Sequence, residues 1–180
     1  MTDHPADTCR LFFALWPDQA EREALCAWQP LLHALCGGKA MRPDTLHCTL
    51  AFLGEVEAQR LEALTLAARE VAMRPFDLAL VAAHYWGHNH IVYAAPAALA
   101  PELGELVSGL ESALRRHRFR FEPREYKPHV TLLRHAQWTD TPLPVMLPVR
   151  WRCRDFVLVR SLNDTRGARY EVLCRFRARG

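Results

Sequence analysis

Only two of the chain's 23 basic residues are lysines, Lys39 and Lys127; the rest are arginines. Neither lysine stands in a KxDG context and no GxxxxGK loop is present, so the sequence offers no nucleotidyl-accepting lysine and no Gly-rich cradle for ATP. ATP-driven joining chemistry is therefore not expected. The six cysteines, Cys9, Cys26, Cys36, Cys48, Cys153 and Cys174, contain no CxxC pair. Their scatter speaks against a zinc site or a disulfide framework and for reduced, mostly buried thiols in a cytoplasmic protein. No apolar run approaches the roughly 18 to 20 residues of a membrane helix, and the opening MTDHPADTCR lacks the basic-then-apolar pattern of an export signal. A soluble, unexported protein is expected. Low-complexity tracts and short-period repeats are absent too.

What is present suits a globular domain. At 180 residues, with 50% hydrophobic and 24% charged, the chain can bury one sizeable core or two small lobes. The net charge of +3 hides an asymmetry: residues 1–114 hold 7 of the 23 basic and 14 of the 20 acidic residues, so the two parts carry about −7 and +10. A basic C-terminal part favours an anionic partner such as phosphate or nucleic acid, although a solvated basic surface would read the same way.

The pattern along the chain mixes strands and helices without regular βαβ alternation. RLFFALWP (10–17) reads as a buried strand closed by proline. A helix follows from Asp18 to the Gly37-Gly38 stop, with a kink or break expected at Pro30, and a second helix spans about 57–73. FDLALVAAHYW (76–86) and HIVYAAP (90–96) read as two strands of a hairpin turning around Gly87 and Asn89. PELGELVSGLESALRRH (101–117) is an amphipathic helix, and WRCRDFVLVRSL (151–162) with ARYEVLCRFRA (168–178) forms a final hairpin across NDTRG. These elements predict an α+β fold with antiparallel sheets.

One pattern occurs twice. HCTLAFLG (47–54) and HVTLLRH (129–135) both open an apolar strand with histidine and threonine two residues apart. Side chains at i and i+2 share a strand face, so His47 with Thr49, and His129 with Thr131, project together. The same alternation sends Cys48, Leu50 and Phe52, and Val130 and Leu132, to the other side. A single HxT is usually structural, its histidine bonded to a carbonyl and its threonine chosen for β propensity. Two copies in corresponding places of two similar halves point to a shared cleft instead.

The chemistry of that quartet is specific. In-line displacement at phosphorus needs a base for the entering oxygen and an acid for the departing one, and histidine, titrating near pH 6.5, serves either role. Threonine hydroxyls can orient the non-bridging phosphate oxygens and stabilise charge there. No metal is needed. His84, His88 and His90 in HYWGHNH fall around a hairpin turn with no cysteine pair or acidic partner beside them, so a metal site is not expected there.

The sequence resembles the two-histidine phosphoesterases, and within them the bacterial RNA 2',3'-cyclic phosphodiesterases, historically called 2'-5' RNA ligases. RLFFALWP, RPDTLHCTLAFLGEV (42–56), YKPHVTLLRHA (126–136) and SLNDTRGARYEVL (161–173) carry the likeness across nearly the whole chain. The resemblance implies one domain over residues 1–180: a bilobal, pseudo-twofold α+β fold with two antiparallel sheets, flanking helices and the active site between the lobes. It implies His47 and His129 as acid and base, with His47 favoured as acid, and Thr49, Thr131 and Arg134 as phosphate ligands. Tyr126 and Phe13 become candidates for stacking on a base, with core packing the other reading of Phe13, and Cys48 an inert inward thiol. The implied reaction opens a terminal 2',3'-cyclic phosphate on RNA to a 2'-phosphate, with no cofactor, in a monomer. Any ligation would be its ATP-independent reversal. The same motif would serve a small cyclic nucleotide or an ADP-ribose cyclic phosphate, and a silent RNA-binding module is the alternative from another class.

Overall fold

The computed structural model describes residues 7–179. In chain order the elements are β1 (Thr8–Leu15), α1 (Gln19–Cys26), α2 (Gln29–Cys36), β2 (Lys39–Ala40), β3 (Cys48–Glu57), α3 (Leu61–Arg69), β4 (Phe76–Leu80), β5 (Ala82–Trp86), β6 (Ile91–Ala95), α4 (Pro101–Arg116), β7 (Val130–Arg134), β8 (Val149–Cys153), β9 (Asp155–Asp164) and β10 (Gly167–Arg177). The strands form two four-stranded sheets, β10-β9-β1-β3 (sheet A) and β2-β7-β6-β5 (sheet B), with β4 and β8 as a separate pair. All of the pairings are antiparallel. The fold is α+β, with one HxT motif leading into each large sheet.

Proline chemistry explains the first helical segment. The kink or break expected at Pro30 is a break one turn earlier: α1 ends at Cys26, and Pro30 sits in the first turn of α2. A proline ring clashes with the carbonyl four residues back, here that of Cys26, while at a helix start its missing N–H costs nothing. After α2 the chain turns through Gly38, at φ 81°, where a Cβ would come within 2.5 Å of the Arg134 carbonyl. Only glycine lets this turn approach the end of β7 so closely.

Two long strands expected from the sequence are each divided. The run 76–86 splits at Val81 into β4 and β5, and the run 151–162 splits at Arg154 into β8 and β9. β4 pairs with β8, Phe76 opposite Cys153, before β5 continues into sheet B and β9 into sheet A. This small ribbon connects the lobes. The lobes are also not successive halves of the chain: sheet A takes β1 and β3 from the first part and β9 and β10 from the end.

Helices α3 and α4 pack together and lie against β10 and β3, while α2 lies on β7 and α1 on β8. Between these layers a single buried cluster runs through both sheets, from Leu11, Phe13 and Leu50 to Val92 and Leu132. A second, smaller cluster, Phe12, Ala14, Val157 and Val159, occupies the opposite face of sheet A beneath Trp16, Phe52 and Tyr170.

Between β1 and β3 the register slips twice, passing from Leu11–Gly54 to Phe12–Phe52 and from Phe13–Ala51 to Ala14–Thr49. Each slip is a bulge that adds a residue to β3 and reverses its alternation. Phe52, expected on the core side with Cys48 and Leu50, is thereby turned onto the same side as His47 and Thr49.

Candidate active site

His47 and His129 each stand one residue before their strand, where the backbone is free to bond a side chain. Nδ1 of His47 donates to the Thr45 carbonyl at 2.7 Å, and Nδ1 of His129 donates to the Lys127 carbonyl at 2.8 Å. The device is identical: a carbonyl two residues back takes the Nδ1 proton and leaves Nε2 as the reactive nitrogen. At His47 it is braced further, because the buried Thr45 hydroxyl donates to the Arg42 carbonyl at 2.8 Å. The Thr49 hydroxyl lies 3.0 Å from Nε2 of His47, the donor to a neutral ring.

Both histidines line one cleft of about 350 Å³, together with Thr49, Thr131 and Arg134. Burial lowers the pKa of His47 from its ordinary value to about 4, helped by the positive field of His129 and Arg134 and opposed by the Thr45 bond. Burial lowers His129 as well, opposed by the Lys127 bond and assisted by Arg124. Both shifts favour the uncharged rings in the free protein at neutral pH. An arriving anion supplies the missing counter-charge and favours protonation of either one.

The surroundings of the two rings differ. Trp16 stacks on His47 with centroids 5.6 Å apart and planes at 17°, and Phe12 lies at 4.9 Å and 34°. Beside His129, Trp86 and Tyr93 stand nearly perpendicular, at 4.7 Å and 5.5 Å. Aromatic faces attract a cation, so the stacked pair favours a protonated ring at His47 once charge is balanced.

This geometry has counterparts among known proteins. The chain matches the family model described as LigT like Phosphoesterase twice, over residues 15–93 and 94–170. It is 32% identical over 167 residues to the RNA 2',3'-cyclic phosphodiesterase of Escherichia coli, covering 93% of this chain and 95% of that one. With the RNA 2',3'-cyclic phosphodiesterase of Thermus thermophilus it shares 33% over 180 residues, covering 95% and 91%. The crystal structure of E. coli LigT in apo form superposes with a TM-score of 0.85 at 30% identity, covering 96% of this chain and 98% of that one. The chain belongs to the LigT-like phosphoesterase family. Each of the two matched stretches contains one HxT motif.

The cleft of this LigT-like phosphoesterase holds residues that the linear pattern did not single out. Arg10 reaches it from β1, with its guanidinium 5.2 Å above the Phe52 ring, and Ser161, Asn163 and Tyr170 reach it from β9 and β10. Among the described residues neither Arg10 nor Arg134 has a carboxylate within ion-pair distance. Two unpaired guanidinium groups thus border the two imidazoles, an arrangement suited to an anion.

Two candidates stand elsewhere. Phe13 is fully buried against Phe156 and Phe176 and cannot stack on a base; its neighbour Phe12 is the ring that faces the cleft. Tyr126 borders an adjoining cavity rather than the cleft lined by both histidines, and its hydroxyl donates to the Thr49 carbonyl at 3.1 Å. Burial pushes that phenol well above its ordinary range. Cys48 is wholly buried, with burial raising its thiol pKa, so it is no nucleophile. His84 stacks on Tyr93 while His90 meets the Tyr85 hydroxyl, and among the described residues no group of three or more His, Cys, Asp or Glu is placed to hold a metal ion.

Proposed function

We propose that this protein is an RNA 2',3'-cyclic phosphodiesterase that hydrolyses a terminal 2',3'-cyclic phosphate to a 2'-phosphate. The observation that carries the proposal is the pair of imidazoles in one cleft, each with Nδ1 bound to a carbonyl so that Nε2 holds the reactive lone pair, beside Thr49, Thr131 and Arg134. Water attacks phosphorus while His129 accepts its proton. The bond from phosphorus to O3' breaks on the opposite side, and protonated His47 gives its proton to O3'. The products are a 2'-phosphate and a 3'-hydroxyl, and the two histidines end in exchanged protonation states that solvent resets.

His47 is assigned the acid because the faces of Trp16 and Phe12 favour its cation, whereas His129 is met by rings standing nearly perpendicular. Protonation also has a useful consequence at Thr49. Once Nε2 of His47 carries a proton it no longer accepts the Thr49 hydroxyl hydrogen, which is released to a non-bridging phosphate oxygen. Thr131 and Arg134 hold the other oxygens, and the charge that develops on them meets donors already in place.

The scheme uses neither a metal nor a nucleotide cofactor, and the protein acts as a cytoplasmic monomer. Ligation, where it occurs, is the ATP-independent reverse reaction. The test incubates an RNA oligonucleotide ending in a 2',3'-cyclic phosphate with EDTA and without ATP. Wild type should yield the 2'-phosphate, and His47→Ala and His129→Ala should each lose about 10²- to 10⁴-fold in rate. Full activity in either variant, or a 3'-phosphate product, would overturn the mechanism.

A further inference from the structure

A cavity of about 660 Å³ opens at the β5 edge of sheet B, larger than the catalytic cleft and separate from it. Its residues follow from the sheet register. His84 pairs with Tyr93, and Tyr93 pairs with Thr131, so these three side chains form one row across β5, β6 and β7 on the face that carries the second motif. Trp86, two residues beyond His84, shares that face. The rings are contiguous: His84 stacks on Tyr93 at 5.4 Å, Tyr93 meets Trp86 at 4.0 Å, and Trp86 meets His129 at 4.7 Å. Trp138, 69% exposed, packs on Tyr85 at 5.4 Å and lines the cavity from the other side of the β5 edge.

The charge of this cavity identifies the kind of group it suits. Aromatic rings line it with a single carboxylate, Asp140, and no lysine or arginine contributes, in contrast to the Arg10 and Arg134 of the cleft. An uncharged planar base fits it better than a phosphate. A strand ending in a 2',3'-cyclic phosphate extends only in the 5' direction, so it must leave the cleft along one wall. On the sheet A side Phe12, Trp16 and Tyr170 are packed on His47 and on one another. On the sheet B side the rings lead outward to the exposed His84 and Trp138.

We propose that Trp86, Tyr93, His84 and Trp138 form a second base-binding subsite, which takes the base of the nucleotide preceding the cyclic-phosphate end. The inference rests on the activity proposed above and narrows its substrate class to oligoribonucleotides over mononucleoside cyclic phosphates. Stacking on aromatic rings is tolerant of base identity, so the preference is for chain length more than for sequence.

The test compares kcat/KM for adenosine 2',3'-cyclic phosphate with that for a trinucleotide carrying the same reactive end. Wild type should favour the trinucleotide by about 10- to 100-fold. His84→Ala and Trp138→Ala change exposed side chains, and each should move the ratio of the two kcat/KM values toward one, with thermal melts reporting that the fold is kept. Equal values in wild type, or a ratio preserved in both variants, would overturn the subsite while leaving the proposed activity standing. Absence of turnover with either substrate would overturn the activity itself.

Discussion

The Tyr126 hydroxyl donates to the main-chain carbonyl of Thr49 across 3.1 Å, joining the segment before the second HxT motif to the strand that carries the first. Its other neighbour is the Cys48 thiol, 3.6 Å away. The bond therefore ties the segment leading into His129 to the strand that follows His47.

Tyr126→Phe removes this bond and leaves the Thr49 carbonyl with one partner fewer, which should cost about 1 to 3 kcal/mol of stability. A positioning role predicts that kcat falls by about 10-fold with KM little changed, because a small misplacement of acid relative to base weakens the transition state. Chemical denaturation and steady-state kinetics check both effects. A rise in KM confined to oligonucleotides, with stability and kcat intact, would instead make Tyr126 a base contact.

The pH dependence follows from the depressed histidines. The working form carries one proton between the pair: His129 neutral and His47 charged. In the free enzyme both pKa values lie below the ordinary 6.5, that of His47 at about 4. As pH falls from neutrality the pair takes up its first proton below 6.5, which the stronger depression of His47 leaves mainly on His129, and its second toward 4; the working arrangement is the minor form of the singly protonated free enzyme. The expected kcat/KM profile is a bell on the acid side of neutrality whose limbs belong to the pair, not to either ring. Bound phosphate raises both values, so the bell in kcat lies at higher pH than that in kcat/KM. Superimposable profiles centred above pH 7 would remove the electrostatic account.

Much of the site was legible in the chain because it uses local spacing. An i, i+2 pair at a strand start, written twice, places His47 with Thr49 and His129 with Thr131 whatever the sheet order. Arg10, Ser161, Asn163 and Tyr170 were not legible in the same way. They meet because β10, β9, β1 and β3 are neighbours in that order, a long-range arrangement that no local pattern encodes. Phe52 was hidden by the register slip at Leu50, between Thr49 and Ala51, and the breaks at Val81 and Arg154 carry no glycine or proline to mark them.

Arg10 is a test of that long-range part. Its guanidinium lies over Phe52 without an ion-pair partner among the described residues, and it lines the cleft with His47 and His129. Arg10→Gln should raise KM for an RNA substrate several-fold and flatten the dependence of log kcat/KM on log salt by about one, as expected when a single phosphate contact is lost. Arg134→Gln, beside the reacting phosphate, should lower kcat as well. An unchanged salt slope in Arg10→Gln would assign that side chain to the surface alone.

Phe12 and Phe13 separate catalysis from folding at adjacent positions. β1 runs between β9 and β3 and is buried on both faces, which is why RLFFAL shows no alternation to tell its two sides apart. Phe13 packs on Phe156 and Phe176 in the main core, so Phe13→Ala should cost about 3 to 5 kcal/mol of stability. The native fraction of that variant should keep a near wild-type kcat, since its side chain does not reach the cleft. Phe12 lies against His47, and Phe12→Leu keeps an apolar filling while removing the aromatic face that favours the imidazolium. Its stability should change by less than about 1.5 kcal/mol. The acid that His47 supplies becomes harder to charge, so the alkaline limb of its kcat profile should move to lower pH. Titrating kcat against pH for both variants, alongside urea denaturation, checks the division: a shifted limb in Phe13→Ala and none in Phe12→Leu would reverse the assignment of the two faces.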